Sequence, residues 1–231
     1  MRKLLVISGI AACAASANAI VIIDNFTSGG FSDSINTVGS KVTVSQLGAM
    51  LGGERDVRLE IVATGGFSQS LRFEVGAGFS VSSSGSGVNG MTELQYDVVG
   101  DETAGSPNFS PTYGTGLGVN LAPENAFRVR FLFNDLLLNL KVTVDKIGTG
   151  TWVGTTAVAG GISSPTDVYI SFASMAGPGA YTGLSDRITF SFDTSAAGDF
   201  AIGELAAVPE PATMTALALA LGGLVARRRR K

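Results

Sequence analysis

The chain has 231 residues, 45% of them hydrophobic, with a single cysteine and no histidine. The lack of histidine removes the usual general base at neutral pH and the commonest metal ligand, so Ser–His–Asp or Cys–His catalysis and the ordinary zinc sites are excluded. The net charge of −3 hides an asymmetry: the two ends hold seven basic residues and one acidic residue, so the stretch between them keeps nine basic and eighteen acidic, a net −9 that argues against nucleic acid and anionic lipid as partners.

Met1-Arg2-Lys3 is a short positive segment, followed by an apolar run from Leu4 to Ala15 and by Ala17-Asn18-Ala19. Small residues at Ala17 and Ala19 fit signal peptidase, so residues 1–19 are expected to be a signal peptide, helical while in the membrane and cut after Ala19. The only cysteine, Cys13, lies inside this segment. Ile10-Ala11-Ala12-Cys13 matches a lipobox only loosely, and the remaining body has no cysteine for a disulfide, although export would permit one.

From residue 20 onward the chain reads in twos. Candidate strands at 20–26 and 42–47 come first. Val57, Leu59 and Ile61 then alternate with Asp56, Arg58 and Glu60, and Leu71, Phe73 and Val75 with Arg72 and Glu74. After the turn-rich Ser83-Ser84-Gly85-Ser86-Gly87 comes a candidate strand at 91–99. Phe127, Val129, Phe131 and Phe133 alternate with Arg128 and Arg130, and Leu138, Leu140, Val142 and Val144 with Asn139, Lys141 and Thr143. Asn134-Asp135 between these two runs is the best local hairpin signal. Strands at 152–158 and 168–173 precede a Gly177-Pro178-Gly179 turn, and Ile188, Phe190 and Phe192 and a last candidate at 199–206 complete the body. Each alternation describes a strand with one face in a core and one in water. About a dozen strands in residues 20–208 predict an all-β, two-sheet antiparallel sandwich of jelly-roll type.

Val208-Pro209-Glu210-Pro211 follows the last strand. An apolar run then reaches Ala226, and Arg227, Arg228, Arg229, Arg230 and Lys231 close the chain. Two prolines hold the backbone extended for a processing enzyme. The apolar run, from Ala212 to Ala226, is shorter than the roughly 20 residues of a spanning helix, and the basic cluster is expected on the cytoplasmic side. Residues 209–231 are therefore read as a short hydrophobic helix that anchors the chain to the inner membrane only transiently.

The order Pro209-Glu210-Pro211, apolar helix, arginine-rich end resembles the PEP-CTERM sorting signal of Gram-negative bacteria. The resemblance implies recognition and cleavage by an exosortase, a membrane-embedded, transpeptidase-like protease, in a host that makes extracellular polysaccharide. Ile23-Asp24-Asn25-Phe26, Leu51-Gly52-Gly53-Glu54-Arg55-Asp56-Val57, Glu93-Leu94-Gln95-Tyr96-Asp97, Tyr169-Ile170-Ser171-Phe172-Ala173, Asp186-Arg187-Ile188-Thr189-Phe190 and Asp199-Phe200-Ala201-Ile202-Gly203-Glu204-Leu205 resemble, in order, a recurrent ectodomain of PEP-CTERM proteins. The first and last of them also resemble galactose-binding-like carbohydrate modules.

Taken together, the expected protein is exported across the inner membrane, cut by signal peptidase and exosortase, and placed at the cell surface or outside it. Its expected role is non-enzymatic, structural or adhesive, and linked to exopolysaccharide; a lectin-like module is the alternative, and a glycoside hydrolase or lyase a more distant third. Glu54 and Asp56 share a strand face, but Arg55 and Arg58 beside them read as a solvated charge cluster rather than a catalytic pair. A sugar platform needs an exposed ring; Trp152 and Tyr113 are the first candidates, with Tyr169 and Tyr181 behind them, and Trp152 is weighed against a place in the core. No cofactor is expected apart from a structural calcium ion. Asp24 and Asp199 would supply oxygen ligands if first and last strands lie side by side, although Gly203 stands where such modules carry an aspartate.

Overall fold

The computed structural model describes residues 20–65, 70–99, 116–194 and 197–209. In chain order the strands are β1 (Val21–Asp24), β2 (Phe31–Ile35), β3 (Lys41–Leu47), β4 (Glu54–Thr64), β5 (Leu71–Gly76), β6 (Phe79–Ser84), β7 (Val88–Tyr96), β8 (Val119–Asn120), β9 (Ala126–Asn134), β10 (Leu138–Lys146), β11 (Gly150–Val158), β12 (Thr166–Ser171), β13 (Leu184–Ser185), β14 (Arg187–Thr194) and β15 (Phe200–Val208). The one helical element among the described residues is a 3-10 turn, Phe172–Ser174. The expected helices of the signal segment and the apolar tail lie outside the described residues.

Two antiparallel sheets form the sandwich. One runs β12-β9-β15-β6-β5-β2, and the other β11-β10-β14-β7-β4-β3. The closing strands enter the middle: β15 lies between β9 and β6, and β14 between β10 and β7. This late insertion is the Greek-key closure of a jelly roll. One edge of β15 pairs with β9, while its other edge is shared, Phe200–Ile202 with β6 and Leu205–Ala207 with β1. First and last strands are thus neighbours, as the sequence predicts.

The apolar face of each alternating run meets in one core. Phe131 crosses to Phe192 at 6.3 Å and Phe127 to Phe190 at 5.9 Å, both edge to face, and Phe192 stacks on Phe200 at 4.9 Å. Such ring pairs add about 0.5–1.5 kcal/mol each beyond their buried area.

Two sequence expectations fail here for physical reasons. Asn134-Asp135 is not a hairpin, because β9 and β10 lie in different sheets and the dipeptide turns the corner between them. The Asn134 amide donates to the carbonyls of Leu136 and Ala159, both at 2.8 Å, and Asp135 Oδ1 accepts from the Asp199 backbone N–H at 2.7 Å. Phe133 does not continue the core face. The register against β15 steps from Ala201↔Phe133 to Ile202↔Phe131, leaving Leu132 as an extra residue. That bulge reverses the alternation, so Phe133 is exposed and Asn134 is buried.

Candidate functional site

The register sets which strand ends share a pole of the sandwich. Val21 pairs with Ala207, and Val208 with Ala126, which in turn pairs with Ser171. In the other sheet Asp145 pairs with Arg187, and Ile188 with Tyr96. All these residues lie at one end, the terminal pole, where the chain enters β1 and leaves β15. The corner at Asn134-Asp135 lies at the opposite, distal pole.

Arg55 is fully buried at the terminal pole, on the core face of β4. Its Nη1 donates to Asp24 Oδ2 at 2.6 Å, its Nε to Gln46 Oε1 at 2.9 Å and its Nη2 to the Gly29 carbonyl at 2.6 Å. Tyr96 Oη donates to the same Asp24 oxygen at 2.9 Å, and the other Asp24 oxygen accepts from the Phe26 backbone at 2.7 Å. The guanidinium also sits 5.5 Å from the Phe26 ring centre. Burial, then the negative charge of Asp24, pushes the Tyr96 phenol well above its ordinary range, so it stays a neutral donor.

The Glu54–Arg58 stretch therefore needs correction. It is not a solvated charge cluster: Glu54, Arg55 and Asp56 are all buried, and the single Ser45 hydroxyl proton is shared between the carboxylates of Glu54 and Asp56. Only Arg58 is partly open, and it pairs with Glu93. Two further ion pairs follow along this pole, the first buried and the second open at its lysine. Arg187 donates twice to Asp145 Oδ2, at 2.9 and 2.7 Å, and Lys146 lies 3.0 Å from Asp186.

Beside these pairs stands an aromatic group. Trp152 is 5% exposed; its Nε1 donates to the Gly179 carbonyl at 2.7 Å, and its ring lies 5.6 Å from Tyr181. A Cβ on Gly177 would fall 2.3 Å from the indole, so only glycine lets the loop cover the ring this closely. Trp152 is thus roofed by the Gly177–Gly179 loop rather than presented as a platform. Tyr181 packs edge to face on Phe172 at 4.8 Å and shares a hydrogen bond with Ser185. Burial pushes its phenol up to about 12.

Phe172 and Tyr181 wall a cavity of about 360 Å³ together with Ala122, Glu124, Asn125, Ala173 and Thr182. The turn that brings Glu124 there is fixed at several points. Ala122 N–H donates to Asn120 Oδ1, Glu124 N–H to the Leu121 carbonyl, and Asn125 N–H to the Val208 carbonyl at the end of β15. Phe172 N–H closes on the Asn125 carbonyl. Gly183, at φ +88°, lets the aromatic loop touch this turn, since a Cβ there would lie 2.3 Å from Ala122 N. Glu124 is 3% exposed, its Oε2 has no hydrogen-bond partner, and burial raises its carboxyl above the ordinary carboxylate range.

Residues 207–230 match the PEP-CTERM protein-sorting motif. The chain carries a PEP-CTERM sorting tail. That motif marks an exported protein processed at the membrane by exosortase. The match begins within β15: Val208 is a buried ladder residue, and Pro209 is the first residue beyond the strand. Glu210, Pro211 and the basic run Arg227–Lys231 lie outside the described residues, as do Ala17, Ala19 and Tyr113. Among the described residues, no helix is long and apolar enough to cross a membrane.

No curated protein matches the chain. Three solved structures resemble it in shape. The family 11 carbohydrate-binding module of the cellulosomal cellulase Lic26A-Cel5E of Clostridium thermocellum is 12% identical, with a TM-score of 0.38 over 84% of this chain and 96% of that one. The CBM22-1-GH10 modules of xylanase 10B of Clostridium thermocellum, complexed with xylohexaose, are 19% identical, with a TM-score of 0.31 over 84% of this chain and 29% of that one. Tailspike protein 4 of bacteriophage CBA120 is 9% identical, with a TM-score of 0.33 over 81% and 21%.

The calcium pair is not brought together. Asp24 faces Leu205 across β1 and β15, whereas Asp199 precedes β15 at the distal pole. Six residues of strand separate them, roughly 20 Å at about 3.3 Å per residue, and both side chains are engaged, Asp24 by Arg55 and Asp199 by the Ser84 N–H at 2.8 Å. Tyr169 is the one partly exposed tyrosine among the described residues, lying beside the Arg130–Asp167 ion pair on β9 and β12. Glu124 was not singled out by the sequence. Ala122-Pro123-Glu124-Asn125 reads as an ordinary turn, and the cavity arises only where the β8–β9 connection meets the β12–β13 connection, which reaches it twice, at Phe172-Ala173 and at Tyr181-Thr182.

Proposed function

We propose that the chain is an exported, non-enzymatic structural or adhesive protein of the cell surface or matrix, associated with extracellular polysaccharide. The sorting tail carries this reading. β15 ends at Val208, so the sandwich is complete before the apolar run and the basic end begin. Removing the tail beyond Pro209 leaves every described strand in place, whereas a cut before Val208 would remove the last pairing of β15 with β9, Val208↔Ala126. The non-enzymatic part is supported by the lack of histidine and by the engagement of Asp24, Asp145 and Asp186 in ion pairs. The test is the mass and location of the protein in its native host, with and without residues 209–231. Expected are a mature chain ending at or beyond Pro209 in the surface or matrix fraction, and loss of that location on deletion. A mature mass that includes the whole tail would overturn the reading. A lectin-like body is the second reading, favoured by the cavity at Glu124.

A further inference from the structure

The Glu124 cavity is the one place among the described residues where a buried carboxyl oxygen without a partner, aromatic rings and open space coincide. An unsatisfied buried acceptor is costly unless something donates to it, and a cavity of about 360 Å³ lies near the lower end of the roughly 300–1,000 Å³ of small-ligand sites. Its lining describes the ligand. Glu124 requires a donor. Asn125 and Thr182 add further polar side chains, and Phe172 and Tyr181 offer apolar ring edges. No lysine or arginine lines the cavity, and the body around it carries a net −9, so an anionic ligand is repelled. Two small residues of the lining, Ala122 and Ala173, are exposed.

We propose that this cavity binds a single neutral pyranose ring, with Glu124 accepting hydrogen bonds from its hydroxyl groups. The choice of a sugar rests on the polysaccharide-linked reading above; the choice of a neutral ring rests on the lining. The volume suits one residue rather than an extended oligosaccharide, so the site takes either a chain end or a free sugar.

The test uses the secreted protein purified from its host. Saturation-transfer-difference NMR with methyl glucoside, methyl galactoside and methyl mannoside is expected to show binding of at least one, with galacturonate inactive. Glu124→Gln, which keeps the shape but removes the charged acceptor, should weaken binding tenfold or more. Ala173→Trp, which adds a large ring to the lining at an exposed position, should abolish it, with both variants melting cooperatively. Competition by the host polysaccharide identifies a chain end as the source, and its absence a free sugar. The proposal is overturned if no methyl pyranoside binds, if binding survives both substitutions, or if galacturonate or glucosamine is the only sugar bound. Co-sedimentation with the polysaccharide separates the two levels: if the wild type co-sediments yet binds no methyl pyranoside, this site is lost and the matrix role stands. Failure of co-sedimentation removes the matrix role itself.

Discussion

At the terminal pole Asp24, Arg55, Asp145, Asp186 and Arg187 are buried in ion pairs, with Gln46 and Tyr96 completing the set. At the distal pole closure comes from side chains hydrogen-bonded to backbone groups rather than from ion pairs. The Asn134 amide reaches two carbonyls, Thr194 Oγ1 donates to the Gly90 carbonyl at 3.1 Å, and the carboxylates of Asp135 and Asp199 accept from backbone N–H groups. The difference follows from what each pole must hold. Distal connections are continuous chain, so covalent connection already limits how far they can stray. The terminal pole must keep the first and last strands side by side, and β1 has only four residues with which to do it. A ladder that short is weak alone, and the Asp24–Arg55 bond fastens it to β4 in the other sheet.

Breaking that fastening should have the largest effect. Arg55→Ala leaves the buried Asp24 carboxylate without its countercharge, held only by Tyr96 and the Phe26 N–H, and takes the guanidinium donor from Gln46; removing one partner of a buried ion pair costs about 3–5 kcal/mol. Urea denaturation should show it as a large fall in midpoint, and replacing both partners, Asp24→Asn with Arg55→Met, should recover much of the loss. At the distal pole Asn134→Ala frees the Leu136 and Ala159 carbonyls and should cost about 1–3 kcal/mol. If Asn134→Ala proves as damaging as Arg55→Ala, the contrast between the poles fails.

The contrast was only half legible in the sequence. Period-two runs such as Leu138–Val144 and Leu71–Val75 fixed strands and core faces, because alternation is local and needs no partner. Arg55 was misread because its partner lies 31 residues away on β1, a strand that pairs with β15, about 180 residues further on. β2 and β6 were not anticipated: their serines resemble turn residues, yet Ser80 and Ser82 are fully buried in β6. Thr189 and Ser191 on β14 read as solvent-facing, but both are buried on a strand flanked by β10 and β7, and Ser191 donates to Glu93 at 2.7 Å. The sorting tail was the most legible part, since its recognition depends on linear order and on no fold at all.

The smallest predicted effects are pH-dependent and of opposite sign. At Asp167, hydrogen bonding from Arg130 outweighs burial and lowers the carboxyl below its ordinary value. Its stabilisation is therefore present above the unfolded pKa and lost as pH falls through the folded one. Asp167→Asn should cost about 0.2–1 kcal/mol at neutral pH, as expected for a partly exposed pair, and nothing in acid. At Glu124 burial raises the carboxyl. The folded state then holds the proton more tightly than the unfolded chain, an advantage present below the unfolded pKa and lost as pH rises through the folded one. Glu124→Gln should raise the neutral-pH melting temperature slightly, by roughly 1–2 °C in a domain of this size, and the gain should vanish in acid. A saturating pyranose should narrow that gap, because it stabilises the wild type and binds the variant weakly. A wild type whose melting is unmoved by the sugar would leave Glu124 as a buried cost with no return, and the terminal pole would then be a fastening only.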